Sequence, residues 1–252
     1  MSHWTSLLLA IALFAGASSA QAASNKNVSI VLVHGAFVDA SGWKSVYDIL
    51  TKEGFEVLMV QNSTATLDGD VDATDRVIAA AKNPVILVGH SYGGGVITQA
   101  GDNPKVAALV YLAAFAPDVG ETILGIAEQP APGEEKAPLV GPKDGWLLVD
   151  QEKFPSHFAV GADSSLTKFM AASQVPWGVP AVQFKLTNAA WKLKPTSFLV
   201  TTQDLMIPPS QQRAMAKRTG GRVQEIASSH AVMLVHPNEV AKFIESAATA
   251  PQ

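Results

Sequence analysis

Residues 84–95 read Pro-Val-Ile-Leu-Val-Gly-His-Ser-Tyr-Gly-Gly-Gly, and no other stretch restricts the fold as tightly. Val85 to Val88 form an unbroken aliphatic run, rich in β-branched residues, as in a strand buried on both faces. The run halts at Ser91, with Gly89 and Gly93 two residues to either side. A strand-to-helix turn this tight forces the serine backbone into a strained conformation and lifts Oγ into the open. Side chains at Gly89 and Gly93 would collide there with the neighbouring strand and helix. Val96-Ile97-Thr98-Gln99-Ala100 follows as the start of an apolar helix ending near Gly101, so the turn has the flanking elements it needs.

The same alternation runs through much of the chain. Val28–Val33 reads as a strand leading into His34-Gly35-Ala36-Phe37. Ser41-Gly42-Trp43-Lys44 opens a helix with Val46, Ile49 and Leu50 at helical spacing, stopped by Gly54. Phe55–Val60 is the next strand, and Asp70–Lys82 a helix ended by Asn83-Pro84. After the serine strand come strands over Lys105–Leu112, Thr196–Thr202 and Arg222–Ala227, with helices over Ser210–Arg218 and Pro237–Ala248. Short strand–helix spacings of this kind predict an α/β fold: a mostly parallel central sheet with right-handed crossovers and helices on both faces. Ligands in such sheets bind beyond the carboxyl ends of the strands. His34-Gly35 and Ser91 both sit at such ends and should be neighbours.

Between about residues 119 and 194 the strand periodicity lapses. The segment carries Pro130, Pro132, Pro138 and Pro142, acidic Glu134-Glu135, and two helical pieces near Ser165–Gln174 and Pro180–Leu193. It reads as a helical cap inserted before the penultimate strand of a single domain spanning residues 23–252. Most of its aromatic side chains are expected to pack the cap onto the body, and the rest to line an apolar pocket.

Residues 1–22 stand apart. Leu7 to Ala15 is an apolar core short for a bilayer, and Ala20-Gln21-Ala22 follows as a small-residue cleavage site. This is the pattern of a secretory signal peptide cut after Ala22, although its first residues lack Lys and Arg. The expected location is periplasmic or secreted, with no stable membrane anchor after cleavage. The chain has no cysteine, which excludes disulfides, thiolate metal sites and a cysteine nucleophile. A net charge of −4 offers no basic surface for nucleic acid. The histidines are too dispersed for a short metal motif, so no metal is expected.

A serine hydroxyl is a poor nucleophile at neutral pH and needs a base, which in turn needs a group to fix its tautomer. His230 follows the last strand and Asp204 the one before it, both at carboxyl ends. Asp118 also follows a strand on that edge, and the order of the elements favours Asp204 over it. His90 has a packing role, its side chain pointing away at the turn. His34 braces its loop, His236 precedes Pro237 at a helix start, His157 is in the cap, and His3 leaves with the signal. An oxyanion needs two positioned donors: the amide of Tyr92, after the serine, and that of Ala36 in the His-Gly turn.

Val31-Leu32-Val33-His34-Gly35-Ala36, Gly89-His90-Ser91-Tyr92-Gly93-Gly94, the stretch from Val110 to Asp118, Asp204 with Pro208, and Ser229-His230 together resemble the α/β-hydrolase superfamily. Within it the chain is most similar to the branch of plant methyl esterases, hydroxynitrile lyases and bacterial pyrethroid-type carboxylesterases. The likeness spans residues 28–248 and is weakest across the cap. It implies the α/β-hydrolase fold and a serine esterase that needs no cofactor, acting on a small-molecule ester with an apolar portion. A hydroxynitrile lyase or a catalytically inactive binding protein on the same fold are the alternatives. The lyases are expected to carry threonine after the first-turn histidine and lysine after the catalytic one, where this chain has Gly35 and Ala231. Members that open epoxides or remove halide use aspartate at the position of Ser91.

Overall fold

The structure, a computed structural model, describes residues 27–249. The expected signal peptide and His3 lie outside the described residues. The first part of the chain alternates strands β1 (Ser29–Val33), β2 (Glu56–Val60), β3 (Val85–His90) and β4 (Val106–Leu112) with helices α1 (Lys44–Lys52), α2 (Leu67–Ala80) and α3 (Gly93–Ala100). After β4 come α4 (Ile123–Ala127), β5 (Leu139–Lys143), β6 (Trp146–Val149), α5 (Phe154–His157), α6 (Ser164–Ala172), β7 (Trp177–Gly178) and α7 (Val179–Val182). The chain closes with β8 (Thr196–Thr201), α8 (Pro209–Thr219), β9 (Arg222–Ile226), α9 (Val232–Val235) and α10 (Pro237–Thr249).

Six strands form one sheet in the order β2-β1-β3-β4-β8-β9, and every pairing in it is parallel. The step from β1 to β2 runs one way along the sheet and the later crossovers run the other. Right-handed connections therefore put α1 on one face and α2, α3 and α8 on the opposite one. The packing agrees: α1 lies against α10, and α2 against α3. Because both faces are covered, β1 and β3 are buried along their whole length, which is why they read as continuous aliphatic runs rather than as alternating ones.

Local chemistry moves some boundaries. The helix expected from Asp70 begins at Leu67, because the Thr66 hydroxyl accepts the Gly69 amide at 3.2 Å and caps it. The turn at Ser41 is a short 3₁₀ segment, Ala40–Trp43, before α1, with the Asp39 carboxylate accepting the Ser41 amide.

The segment between β4 and β8 carries helices, as expected, and also a small antiparallel sheet in the order β5-β6-β7 that periodicity did not reveal. β5 is largely exposed and contains Pro142, so it shows neither alternation nor a proline-free run. The helical piece at Ser165–Gln174 corresponds to α6, capped by Asp163, whose Oδ1 accepts the Ser165 and Leu166 amides at 2.9 Å each. The one at Pro180–Leu193 does not form as a single helix. Only Val179–Val182 and a 3₁₀ turn at Ala190–Lys192 are helical. Between them, Leu186 exchanges backbone bonds with Gly120 and Glu121. The Gln99 side chain accepts the Thr187 and Asn188 amides at 3.1 and 3.2 Å, donors a helix would have used internally.

Candidate active site

Parallel register brings the strand ends level: Val33 lies opposite Gly89, and Gly89 opposite Tyr111. His34-Gly35 and His90-Ser91 are therefore neighbours at one rim of the sheet. Ser91 has φ +54°, a left-handed conformation that is uncommon for a side-chain-bearing residue. The turn is fixed by its carbonyl, which accepts the Gly94 and Phe115 amides at 3.0 and 3.1 Å, and by the Ser91 amide donating to Leu112 at 3.3 Å. A Cβ at Gly93 would sit 2.7 Å from the Val33 and His34 carbonyl oxygens, and one at Gly89 2.6 Å from the Gly93 oxygen. Gly35 lies directly on the serine: its Cβ would come within 2.7 Å of Ser91 Cβ and 3.2 Å of Oγ. The glycines permit backbone contact that any side chain would prevent.

His230, in the loop after β9, is fully buried, and its Nδ1 donates to Asp204 Oδ2 at 2.8 Å. Facing a carboxylate, Nδ1 carries the proton and Nε2 presents the lone pair. Among the described residues that Nε2 has no hydrogen-bond partner, and Ser91 Oγ does not yet bond it. The Asp204 carboxylate is itself held on every side. Oδ1 accepts the Met206 and Ile207 amides at 2.8 and 2.9 Å, and Oδ2 accepts the Thr201 hydroxyl and the Gln212 side-chain amide at 2.8 Å each. Sequence reasoning missed Thr201 and Gln212. Gln212 comes one turn into α8 and belongs to no local motif, so only the packing of α8 on β8 reveals it.

The other candidates are placed elsewhere. Asp118 is partly exposed and paired with Lys192, whose ammonium holds the carboxyl below the usual range. His90 is buried as expected, but its side chain turns toward the His230 loop. Its Nε2 donates to the His230 carbonyl at 3.0 Å, and the two rings lie 4.7 Å apart. Burial, reinforced by His230, pushes the His90 pKa well below the ordinary imidazole value, so the ring is a neutral prop. His34 Nδ1 donates to the Gly35 carbonyl at 2.8 Å, bracing its turn, and burial lowers its pKa as well. His157 is half-buried on α5, and His236 closes α9.

The turn after His34 holds Phe37 at φ +68°. Among the described residues, neither the Ala36 nor the Tyr92 amide is taken up by a carbonyl in these turns. Tyr92 heads α3, an eight-residue helix, so the partial positive charge of that helix end adds to its donor. The same described residues contain no cluster of three or more side chains able to hold a metal ion.

Beside the rim lies a cavity of about 460 Å³ walled by Phe37, Trp43, Phe158, Phe169, Met170 and Met233 and reaching His34 and His90. Its lining is mostly apolar, and Ser91 is not part of it. The cap aromatics divide as expected. Phe154, Trp177 and Trp191 are buried in packing, while Phe169 is 68% exposed at the cavity edge.

A parallel sheet, a strained serine at the end of its third strand, and a histidine–carboxylate pair following the last two strands define an α/β hydrolase. Residues 30–243 match the alpha/beta hydrolase family, and the chain belongs to it. That class is one of carboxylesterase-type hydrolases. The chain is 26% identical over 242 residues to the alpha/beta hydrolase nvfD of Aspergillus novofumigatus, covering 87% of this chain and 96% of that one. It is 27% identical over 250 residues to a pyrethroid hydrolase of Sphingobium wenxiniae, covering 88% of each. Its fold superimposes on a solved pyrethroid hydrolase from Sphingobium faniae with a TM-score of 0.73 at 22% identity, covering 89% of this chain and 98% of the other.

Proposed function

We propose that the chain is an exported serine esterase that cleaves a small to medium carboxylic ester with an apolar portion through an acyl-enzyme. Ser91 Oγ attacks the acyl carbon as His230 Nε2 takes its proton, and the carbonyl π electrons move onto oxygen. The Ala36 and Tyr92 amides hold that oxyanion, and Asp204 stabilises the imidazolium and keeps its tautomer. Collapse of the intermediate expels the alcohol, which leaves with the proton from His230. A water then repeats the cycle on the acyl-enzyme, with His230 as base, and releases the acid. The reaction needs no cofactor.

The observation that carries this reading is the buried His230–Asp204 pair at 2.8 Å, with Nε2 left unpartnered and the imidazole 4.7 Å from the ring of His90, the residue that precedes the strained Ser91. The apolar cavity alongside supports a substrate with an apolar portion. The names of the relatives, pyrethroid hydrolase among them, support ester chemistry. Export rests on the apolar run at Leu7–Ala15 and the Ala20-Gln21-Ala22 site.

The test is turnover of p-nitrophenyl esters of graded acyl length by wild type and Ser91→Ala, with fluorophosphonate labelling. Ser91→Ala is expected to lose at least about 10⁴-fold in kcat and all labelling. Retention of most activity would refute the mechanism, and cyanide release from mandelonitrile without ester turnover would favour the lyase. A secreted protein whose N-terminus still carries Met1 would refute cleavage after Ala22.

A further inference from the structure

Asp70 has no part in the chemistry above, yet it is a fully buried carboxylate. Its Oδ2 accepts the Tyr92 hydroxyl at 2.7 Å. Its Oδ1 accepts the Ser63 amide at 2.8 Å and the Ser63 hydroxyl and Thr64 amide at 3.1 Å each. Burial raises its pKa against the pull of these donors. Burial and the adjacent carboxylate push the Tyr92 phenol well above its ordinary value, so the phenol keeps its proton and donates it. Burying a carboxylate is costly unless its oxygens are occupied, as they are here.

The two oxygens hold two different parts of the molecule. Tyr92 supplies one of the proposed oxyanion amides. The Ser63–Thr64 turn, with Thr64 at φ +59°, grips the cap: the Thr64 hydroxyl donates to the Pro176 carbonyl at 2.7 Å, and the Gly178 amide donates to the Thr64 carbonyl at 2.9 Å. Gly178 is pressed so closely onto this turn that a Cβ would lie 2.1 Å from the Ala65 carbonyl oxygen. Between these parts stands Trp177 of β7. Its ring is 5.3 Å from that of Tyr92 and 5.6 Å from that of Phe37, the neighbour of Ala36, which carries the other proposed donor. One cap residue thus packs against both arms of the oxyanion site.

We infer that Asp70 is a positioning residue that couples the seating of cap strand β7 to the placement of the Tyr92 amide. This rests on the hydrolase reading above. Tyr92 is pinned at its hydroxyl by Asp70 and at its carbonyl by the Gly95 amide at 2.8 Å. Releasing the hydroxyl lets the residue tilt, and small losses of alignment weaken a donor steeply.

Tyr92→Phe deletes the hydroxyl, while Asp70→Asn keeps the shape and a donor toward the phenol oxygen. Wild type and both variants are titrated with a fluorophosphonate, so that kcat is expressed per reactive Ser91. Each is also inhibited with a trifluoromethyl ketone, which adds to the serine and forms an oxyanion. In Tyr92→Phe, kcat per titrated site is expected to fall roughly ten- to hundredfold with KM within about threefold, and the ketone Ki to rise in parallel. Asp70→Asn is expected to show the same pattern at smaller amplitude, and it decides the matter if Tyr92→Phe does not fold. A merely structural role would reduce the titrated sites and leave kcat per site and ketone affinity unchanged, which overturns the inference. A wild type that neither labels nor turns over esters overturns the hydrolase reading and the coupling with it. A wild type that does both, with variants matching it per site, overturns the coupling alone.

Discussion

Replacing Asp204 with asparagine isolates the carboxylate, because shape is conserved while one of two acceptor oxygens is lost. Oδ1 serves the Met206 and Ile207 amides, and Oδ2 serves His230 Nδ1, Thr201 and Gln212. If the asparagine oxygen takes the Oδ1 position, both backbone donors stay paired and the new NH₂ faces His230. The ring must then accept at Nδ1 and carry its proton on Nε2, toward Ser91, where it cannot act as a base. If the amide flips, two buried backbone donors are stranded at about 1–3 kcal/mol each, whereas in the first orientation Thr201 Oγ1 and Gln212 Nε2 fall back on the Gln212 Oε1 and Ile207 carbonyl they already reach, so the first orientation wins. A histidine held in the wrong tautomer costs a serine triad about 10⁴-fold in kcat, equivalent to about 5.5 kcal/mol at roughly 1.4 kcal/mol per tenfold. Asp204→Asn is therefore expected to lose roughly 10⁴-fold in kcat with KM within about threefold. Asp118→Asn is expected to lose less than about twofold, its carboxylate being engaged with Lys192. Steady-state hydrolysis of a p-nitrophenyl ester, normalised to titrated Ser91, reads both. The reasoning fails if Asp204→Asn stays within about tenfold of wild type, or if Asp118→Asn carries the larger loss.

Gly35→Ala would set a methyl 2.7 Å from Ser91 Cβ, and a shift of the turn by a fraction of an ångström is expected to lower kcat by roughly a hundredfold without unfolding the protein. Normal turnover in a folded variant would contradict the close approach. Phe169→Ala removes an exposed ring from the cavity edge, so KM for a bulky apolar ester is expected to rise about three- to tenfold with Tm unchanged, whereas a falling Tm would mark the ring as packing. His34 and His90 are held below the ordinary imidazole value of about 6.5 by burial, so below that pH the unfolded chain binds more protons than the folded one. Stability present above about pH 6.5 is lost on acidification at up to about 1.4 kcal/mol per unit for each histidine. His90→Gln is expected to flatten that decline in urea titrations between roughly pH 6.5 and 5, and an unchanged slope would refute it.

The parts legible in the sequence are those decided by neighbours along the chain. Period and glycine placement mark β3, Ser91 and α3, because a strained strand-to-helix turn tolerates little else. The cap carries the weakest local signal. β5 pairs in the open around Pro142, and the stretch after Val182 exchanges its helical bonds for contacts with Gln99 and the 120–121 backbone, remote in sequence. Neither leaves a periodic trace.

The sequence by itself determined the α/β alternation, the strained serine turn and the short set of acids and histidines able to serve it, since each follows from local period, steric room or residue chemistry; it overstated the opening of that turn, because Ser91 is buried under the neighbouring loops. The order of the elements favoured Asp204 over Asp118, and tertiary structure supplied the physical reason it is the acid that meets His230. Asp118 and Asp204 both follow strands, but lateral order in the sheet and the packing of α8 put Asp204, with Thr201 and Gln212, beneath the imidazole and leave Asp118 to Lys192. Only the folded chain likewise joins Asp70 to Tyr92 and the cap, because side chains far apart in sequence become partners when parallel strands and their crossovers bring them to one rim.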